Sequence, residues 1–342
     1  MSGSGWKSSW NSSWTGDFEF HRDHLRVKKT GARVHYNLAV LKETLDWLLF
    51  YLAMQTVRLS SLLRGRTGAR ICCAPDAARP WYLLWPAAHA ARARFINDPH
   101  AADAVVFFED STVSAPPRIT LPPHIRRINF DCPDVSKSRV AEVFEAVFGY
   151  PLTIDPLAHD GPVVEKSEKN GAHDGRVAAA PCAPREGFVY QRLIDNTRAD
   201  GLVEDLRCPT VFGRIGPVFL KRRPVSARFA NENAEVGLTT AEACFTNEER
   251  AKLTAFARAM KLDWGGLDVL RDKADGRLYI VDVNKTDMGP PTALPLGKKL
   301  EATRALGEML AAGLARPRAK DAAENPSVEA NPKVEINVEG AR

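Results

Sequence analysis

The chain has 342 residues, 44% of them hydrophobic and 26% charged, with a formal net charge of +5. That length admits two or three subdomains, and the balance of apolar and charged residues excludes a wholly disordered or fibrous protein. The cation surplus is small and dispersed, which argues against a nucleic-acid-binding surface.

Six cysteines (Cys72, Cys73, Cys132, Cys182, Cys208, Cys244) form no CxxC pair and no zinc spacing. With no secretory signal at the start, they read as reduced thiols in a cytoplasmic protein. Residues 1–30, rich in Ser, Gly and Asn, are expected to lack regular structure. Their tryptophans at 6, 10 and 14 offer a second reading, a sticky face for a partner or a membrane. Over 34–63 the pattern turns helical. Asp46 interrupts its apolar centre, so no span of about twenty apolar residues is reached. A buried helix or an interfacial amphipathic helix is expected. With Arg64, Arg66 and Arg70 following, residues 1–66 are the candidate for peripheral membrane contact.

Over 68–133 strands at 69–74, 104–108 and 127–130, with a helix over 80–94, predict a small parallel α/β unit. Strand ends in such sheets bind ligands, which marks Glu109 and Asp110 as substrate-side candidates. A helix over 135–148 follows, capped near Asp134 or Ser136 and closed by Gly149. Lys137 lies in its first turn, the wrong end of the helix dipole for a cation unless an anion binds there. A strand over 162–166 ends in Lys166, and a polar loop with Gly171 and Gly175 comes next. Charge from the lysine and N–H groups from the loop would suit phosphate. The order is not that of a P-loop.

A strand over 188–193 leads to Asp195. Strands at 203–210 and 217–222 carry Arg207 on one, and Lys221, Arg222 and Arg223 at the end of the other. Such a cationic cluster costs stability unless an anion meets it; the alternative is a solvated basic edge. Asn231, Asn233 and Gly237 lie in a polar loop, and a helix over 247–260 opens on a Thr246/Glu249 capping box. Strands at 264–270 and 278–283 then form a pair joined by a charged turn. Asp268 lies near the end of the first, while Asp282 and Asn284, two apart near the end of the second, point to one side. Three oxygen-bearing side chains beside a Gly-Pro-Pro loop suit Mg²⁺, and an exposed polar-ended hairpin is the equal alternative. A helix over 298–314 and a disordered tail over 315–342 complete the chain.

The order of these pieces over 134–291 resembles the ATP-grasp superfamily, in particular its RimK-like and glutathione-synthetase-like carboxylate–amine ligases. The resemblance implies an α/β fold in which the N-terminal helix and a small parallel, pre-ATP-grasp-like domain precede a two-subdomain ATP-grasp unit over 134–314. It implies ATP and Mg²⁺ (or Mn²⁺), and a small-molecule or peptide substrate with a carboxylate and an amine to be joined through an acyl phosphate. Lys137 and Lys166 would contact the phosphates under the loop with Gly171 and Gly175. Gln191, Arg192 and Leu193 would read adenine through their backbone, and Asp195 would touch ribose. Asp268, Asp282 and Asn284 would hold the metal, and Arg207 with Arg222 or Arg223 would stabilise the transferring phosphoryl group, near Asn231 and Asn233. The sequence departs from the family at Asp282, where Glu is usual. The same architecture also serves kinases, and a nucleotide-binding scaffold without turnover is the third reading.

Overall fold

The structure, a computed structural model, describes residues 14–28, 33–63, 65, 68–172, 174–230 and 232–315. Trp6, Trp10, Asn231 and the tail from 316 onward lie outside the described residues. The expectation that residues 1–30 lack structure does not hold over 14–28. An antiparallel sheet of β1 (Phe18–Phe20), β2 (His24–Val27) and β3 (Arg33–His35) starts the fold. Glu19 and Arg26 face each other across its first pair, and Arg79 holds Asp17 at 2.8 Å.

Helix α1 (Leu38–Leu63) begins later than its apolar pattern because 33–35 is taken by β3; Asn37 Oδ1 accepts the Val40 N–H at 2.8 Å. No described helix is long and apolar enough to cross a membrane. The parallel unit follows as β4 (Arg70–Pro75), α2 (Leu84–Ala90), β5 (Arg94–Phe95), β6 (Ala104–Phe108) and β7 (Arg126–Ile128), with the strands in the order β5-β4-β6-β7. Strand β6 is buried at every position, as a continuous apolar run in a doubly covered sheet should be. Helix α2 is shorter than the expected 80–94, and Arg92, at φ 59°, turns the chain into β5.

Helix α3 (Lys137–Phe148) is capped by Ser136, whose Oγ accepts the Arg139 N–H, and ends at Gly149 with φ 82°. A small antiparallel sheet comes next: β8 (Gly161–Ser167), β9 (Arg176–Ala180) and β10 (Phe188–Arg192), in the order β10-β8-β9. Residues 176–180 form β9 yet fall in the polar loop expected from the sequence, because RVAAA carries little strand signal of its own apart from its valine. The largest sheet is built from β11 (Leu202–Val211), β12 (Arg214–Ile215), β13 (Val218–Pro224), β14 (Glu235–Thr239), β15 (Trp264–Arg271) and β16 (Leu278–Asn284). Its order is β14-β13-β11-β15-β16, with β12 paired to β11. Helices α4 (Ala241–Cys244) and α5 (Asn247–Ala259) connect β14 to β15, and α6 (Leu296–Ala315) closes the described chain.

Strand alternation gives this sheet two unlike faces. Leu206, Cys208, Leu267, Val269 and Val283 pack with Phe144 of α3 and with Leu253 and Phe256 of α5. On the other face Val211, Phe219 and Trp264 pack with Leu306 and Leu310 of α6 and with Leu83. Each such fully buried side chain contributes about 1.5–3 kcal/mol. The far end of that second face carries charged residues.

Candidate functional site

Four β-strands set charged side chains in register on one face of the large sheet. Arg207 on β11 lies opposite Asp268 on β15, and Asp268 lies opposite Asp282 on β16. Gly266 stands opposite Asn284 one step along. Arg207, 9% exposed, holds Asp268 at 2.8 Å with one guanidinium nitrogen and Asp287 at 2.6 Å with another. A Cβ on Gly266 would sit 2.4 Å from Asp287 Oδ2 and 2.8 Å from Arg207 Nε, so glycine leaves the room this pair occupies. The two carboxylates answer differently to the shared cation. Burial raises the Asp287 carboxyl above its ordinary value despite Arg207. At Asp268 burial pushes the same way, but Arg207, aided by Lys221 and Arg223, outweighs it and holds the group below its ordinary value.

The small sheet meets this face through Lys166. The register between β15 and β16 shifts after Asp268, since Asp268 faces Asp282 while Val269 faces Ile280. Val281 is the extra residue of this bulge, and Lys166 Nζ donates to its carbonyl at 2.9 Å. Burial lowers the Lys166 pKa from 10.5 to about 8; Lys137 adds to the effect, and Asp282, Asp268 and Asp174 oppose it.

Lys137 is buried, and its Nζ donates to the Lys169 carbonyl at 2.7 Å. The anion at the start of α3 is supplied by the chain itself. Glu168 accepts the Ser138 N–H at 3.2 Å and also its hydroxyl. The loop after β8 is further tied by the Asn170 N–H on Thr112 Oγ1 at 2.8 Å. Gly171 takes φ 68°, and a Cβ on Gly175 would come within 2.9 Å of the Phe229 ring.

The structure separates two of the arginines. Arg223 donates to Asp205 and, at 2.9 Å, to Asn233 Oδ1, on the Asp268 face of the sheet. Arg222 points to the opposite face, where Glu204 and Glu235 each hold it at 2.6 Å beside a cavity lined by Arg198, Cys244 and Arg271. Of the two alternatives, Arg222 or Arg223, Arg223 is the one on the Asp268 face and Arg222 turns away from it, because in an extended strand neighbours face opposite ways. Lys221 shares the Arg223 face and acts on both Asp268 and Asp287. It belongs to the cationic cluster named from the sequence, and the period-two rule puts it with Arg223. Asp287 was missed, and its partner lies 80 positions away.

Along β10, Gln191 is 1% exposed with its Nε2 unpartnered among the described residues. Arg192 lies 3.8 Å from Asp272, and Leu193 follows at the strand end. Asp195 Oδ1 accepts the Thr197 N–H at 3.0 Å, and that bond holds its carboxyl below the ordinary value. Of the substrate-side candidates, Asp110 accepts from Thr286 Oγ1 at 3.1 Å, beside Asn284.

A divalent cation fits the donor set. Asp268 Oδ1 is buried without a hydrogen-bond partner among the described residues, and it lies across from Asp282. Asn284 Oδ1 already accepts from the Thr286 N–H at 2.8 Å, so the amide would be shared. No three or more His, Cys, Asp or Glu side chains among the described residues form a metal-holding group. Two carboxylates and one amide suit Mg²⁺, which keeps much of its shell as water and phosphate.

No protein-family model and no curated protein matches the chain. Among solved structures it is similar to the ATP-grasp ligase PsnB complexed with minimal precursor, Mg and ADP, at 13% identity over 72% of this chain and 98% of that one, TM-score 0.46. It is similar to the D-alanine–D-alanine ligase of Bacillus anthracis complexed with ATP, at 14% identity over 74% and 99%, TM-score 0.42. A third similarity, to PsnB complexed with minimal precursor, has 15% identity over 55% of this chain, spans 64% of that one and has TM-score 0.40. Each is a ligase.

Proposed function

We propose that the chain is an ATP-grasp enzyme that uses ATP and Mg²⁺ (or Mn²⁺) to join a carboxylate to an amine. In this reading 134–314 is the ATP-grasp unit and 68–133 the small domain before it. The observation that carries the reading is the reach of Lys166 from the small sheet onto the Val281 carbonyl of the large one, beside Asp282 and Asp268. A cation from one sheet and carboxylates from another are what a polyphosphate–metal complex held between two sheets requires.

Lys137 and Lys166 would bind phosphate oxygens, with N–H groups of the loop from Lys169 to Gly175 closing over them. The backbone at Gln191, Arg192 and Leu193 would face adenine, and Asp195 the ribose. Asp268, Asp282 and Asn284 would hold the metal, which when bound draws charge from the phosphoryl oxygens. Arg207 is committed to Asp268 and Asp287, so its part is to orient the Asp268 carboxylate. Lys221 and Arg223 face the same region as the cations that would meet the transferring group. The acid's carboxylate oxygen attacks the γ-phosphorus and ADP leaves. The amine nitrogen then attacks the acyl carbon, phosphate leaves, and the nitrogen gives up a proton. Positioning and charge stabilisation supply most of the rate in such transfers.

Thermal melting with ATP, with and without Mg²⁺, tests the reading. A ligand of the folded state alone raises stability with the logarithm of its concentration, by about 2.7 kcal/mol at a hundred times Kd. Mg²⁺-dependent stabilisation is expected in the wild type and its loss in Asp282→Ala/Asn284→Ala; no ATP effect in the wild type overturns the assignment. ADP release is then followed across acids and amines. The full pairing of Arg207 and Arg223 favours one rival, a nucleotide-binding protein without turnover. ATP binding with no acceptor-dependent ADP release would select that rival, and a stable phosphorylated product would select a kinase.

A further inference from the structure

Helix α1 has two faces with different fates. Its inner face is buried: Phe50 and Met54 pack with Trp85, Val57 and Leu300, and Tyr51 stacks between Trp47 and Trp85. Its outer face presents leucines at 38, 41, 45, 48, 52, 59 and 62, between 41% and 85% exposed. The intervals are three and four in strict alternation once Gln55 is counted at its place between 52 and 59. That is the a/d pattern of a coiled coil, with Leu38, Leu45, Leu52 and Leu59 at one position and Leu41, Leu48, Gln55 and Leu62 at the other. Phe50 and Val57 then fall at f, directly away from the seam, so packing on the protein leaves the seam outward.

We propose that this face pairs with the same helix of a second copy of this chain, as a short coiled-coil dimer. A leucine seam is self-complementary: each knob has an equivalent hole on an identical helix, which is the condition for a two-fold interface. Leu49 and Leu63, 55% and 80% exposed, widen the strip. Monomers rarely expose so large an apolar patch, and nine leucines at these exposures offer an area on the order of the ~800 Å² per partner of a standard interface. Gln55 points the same way. One polar residue in an apolar seam costs affinity and sets register between helices. A lipid surface has no register to set, and a headgroup-docked helix carries a cation-rich rim along its length, whereas within α1 itself the cations are Lys42 and Arg58 alone.

Sedimentation velocity of the full chain without lipid, over about a hundred-fold range of concentration, reads the mass directly. A dimer is expected at the upper end. Leu48→Arg/Leu52→Arg is expected to raise its dissociation constant by about 100-fold or more, because each arginine would be buried without a partner. The melting temperature of the dilute variant should match that of the dilute wild type, since both side chains point away from Phe50 and Met54. Gln55→Leu is expected to lower the dissociation constant. A wild type that stays monomeric overturns the proposal, and if that monomer co-sediments with anionic vesicles the face belongs to lipid. An unchanged dimer in Leu48→Arg/Leu52→Arg, or an unchanged constant in Gln55→Leu, overturns it equally.

Discussion

In the proposed role Lys166 has to remain charged where little water reaches it. Burial, with Lys137 close by, brings its pKa from 10.5 to about 8, against the pull of Asp282, Asp268 and Asp174. The folded value lies below the unfolded one, so between about pH 8 and 10.5 the unfolded chain binds more protons and stability rises with pH through that window. Phosphate acts the other way, because it binds the protonated amine. ATP affinity is therefore expected to be level below pH 8 and to fall by up to about tenfold per unit above it. Calorimetric titration across pH checks this. Lys166→Arg should flatten the curve, since a guanidinium stays protonated. A wild-type curve without a break near pH 8 would remove Lys166 from the phosphates. At the same scale, strand parity divides Arg222 from Lys221 and Arg223. That division was readable from the residues alone, once β13 was accepted as a strand.

Between elements, close approach is decided by what is missing. Helix α6 crosses α2 at Gly307, where a Cβ would sit 2.6 Å from Ala90 Cβ and 2.9 Å from the Ala91 nitrogen. Gly307→Val should force the helices apart and cost roughly 1–3 kcal/mol of stability, as overpacked cores do. Urea unfolding measures the loss. Gly307 meets Ala87, Ala90 and Ala91 and neither Lys166 nor Asp268, so ATP affinity of the folded variant is expected to be unchanged; stability equal to wild type would show that the helices can slide. The caps of α3 and α5 and the apolar run of β6 were legible locally, as their bounds show. Strand β9 was not, because its pairing to β8 supplies what its own residues lack.

Across the whole molecule, three units meet around one face. The parallel unit touches the loop after β16, where the Leu83 N–H donates to the Asp287 carbonyl at 2.8 Å, and its Thr112 holds Asn170 of the small sheet's loop. A nucleotide bound between the two antiparallel sheets should therefore quiet both at once. ATP with Mg²⁺ is expected to slow amide exchange by about tenfold or more in the loop after β8 and around β16, measured by hydrogen exchange. Protection confined to the large sheet would remove the small sheet from the site.

By itself the sequence determined the long, periodic elements, α1, α3, α5, β6, β11 and the β15–β16 pair, though not β1–β3 or β9, and it placed Asp282 and Asn284 on one side of β16. Those are properties of neighbours, carried by periods of two and 3.6 and by capping residues. Only the tertiary structure decided that Asp268 faces Asp282, that Arg207 is shared with Asp287, and that Glu168 fills the start of α3. These depend on register between strands, on the bulge at Val281 and on packing between residues far apart in the chain. Local periodicity carries none of that information, because shifting a strand's partner leaves its own pattern unchanged.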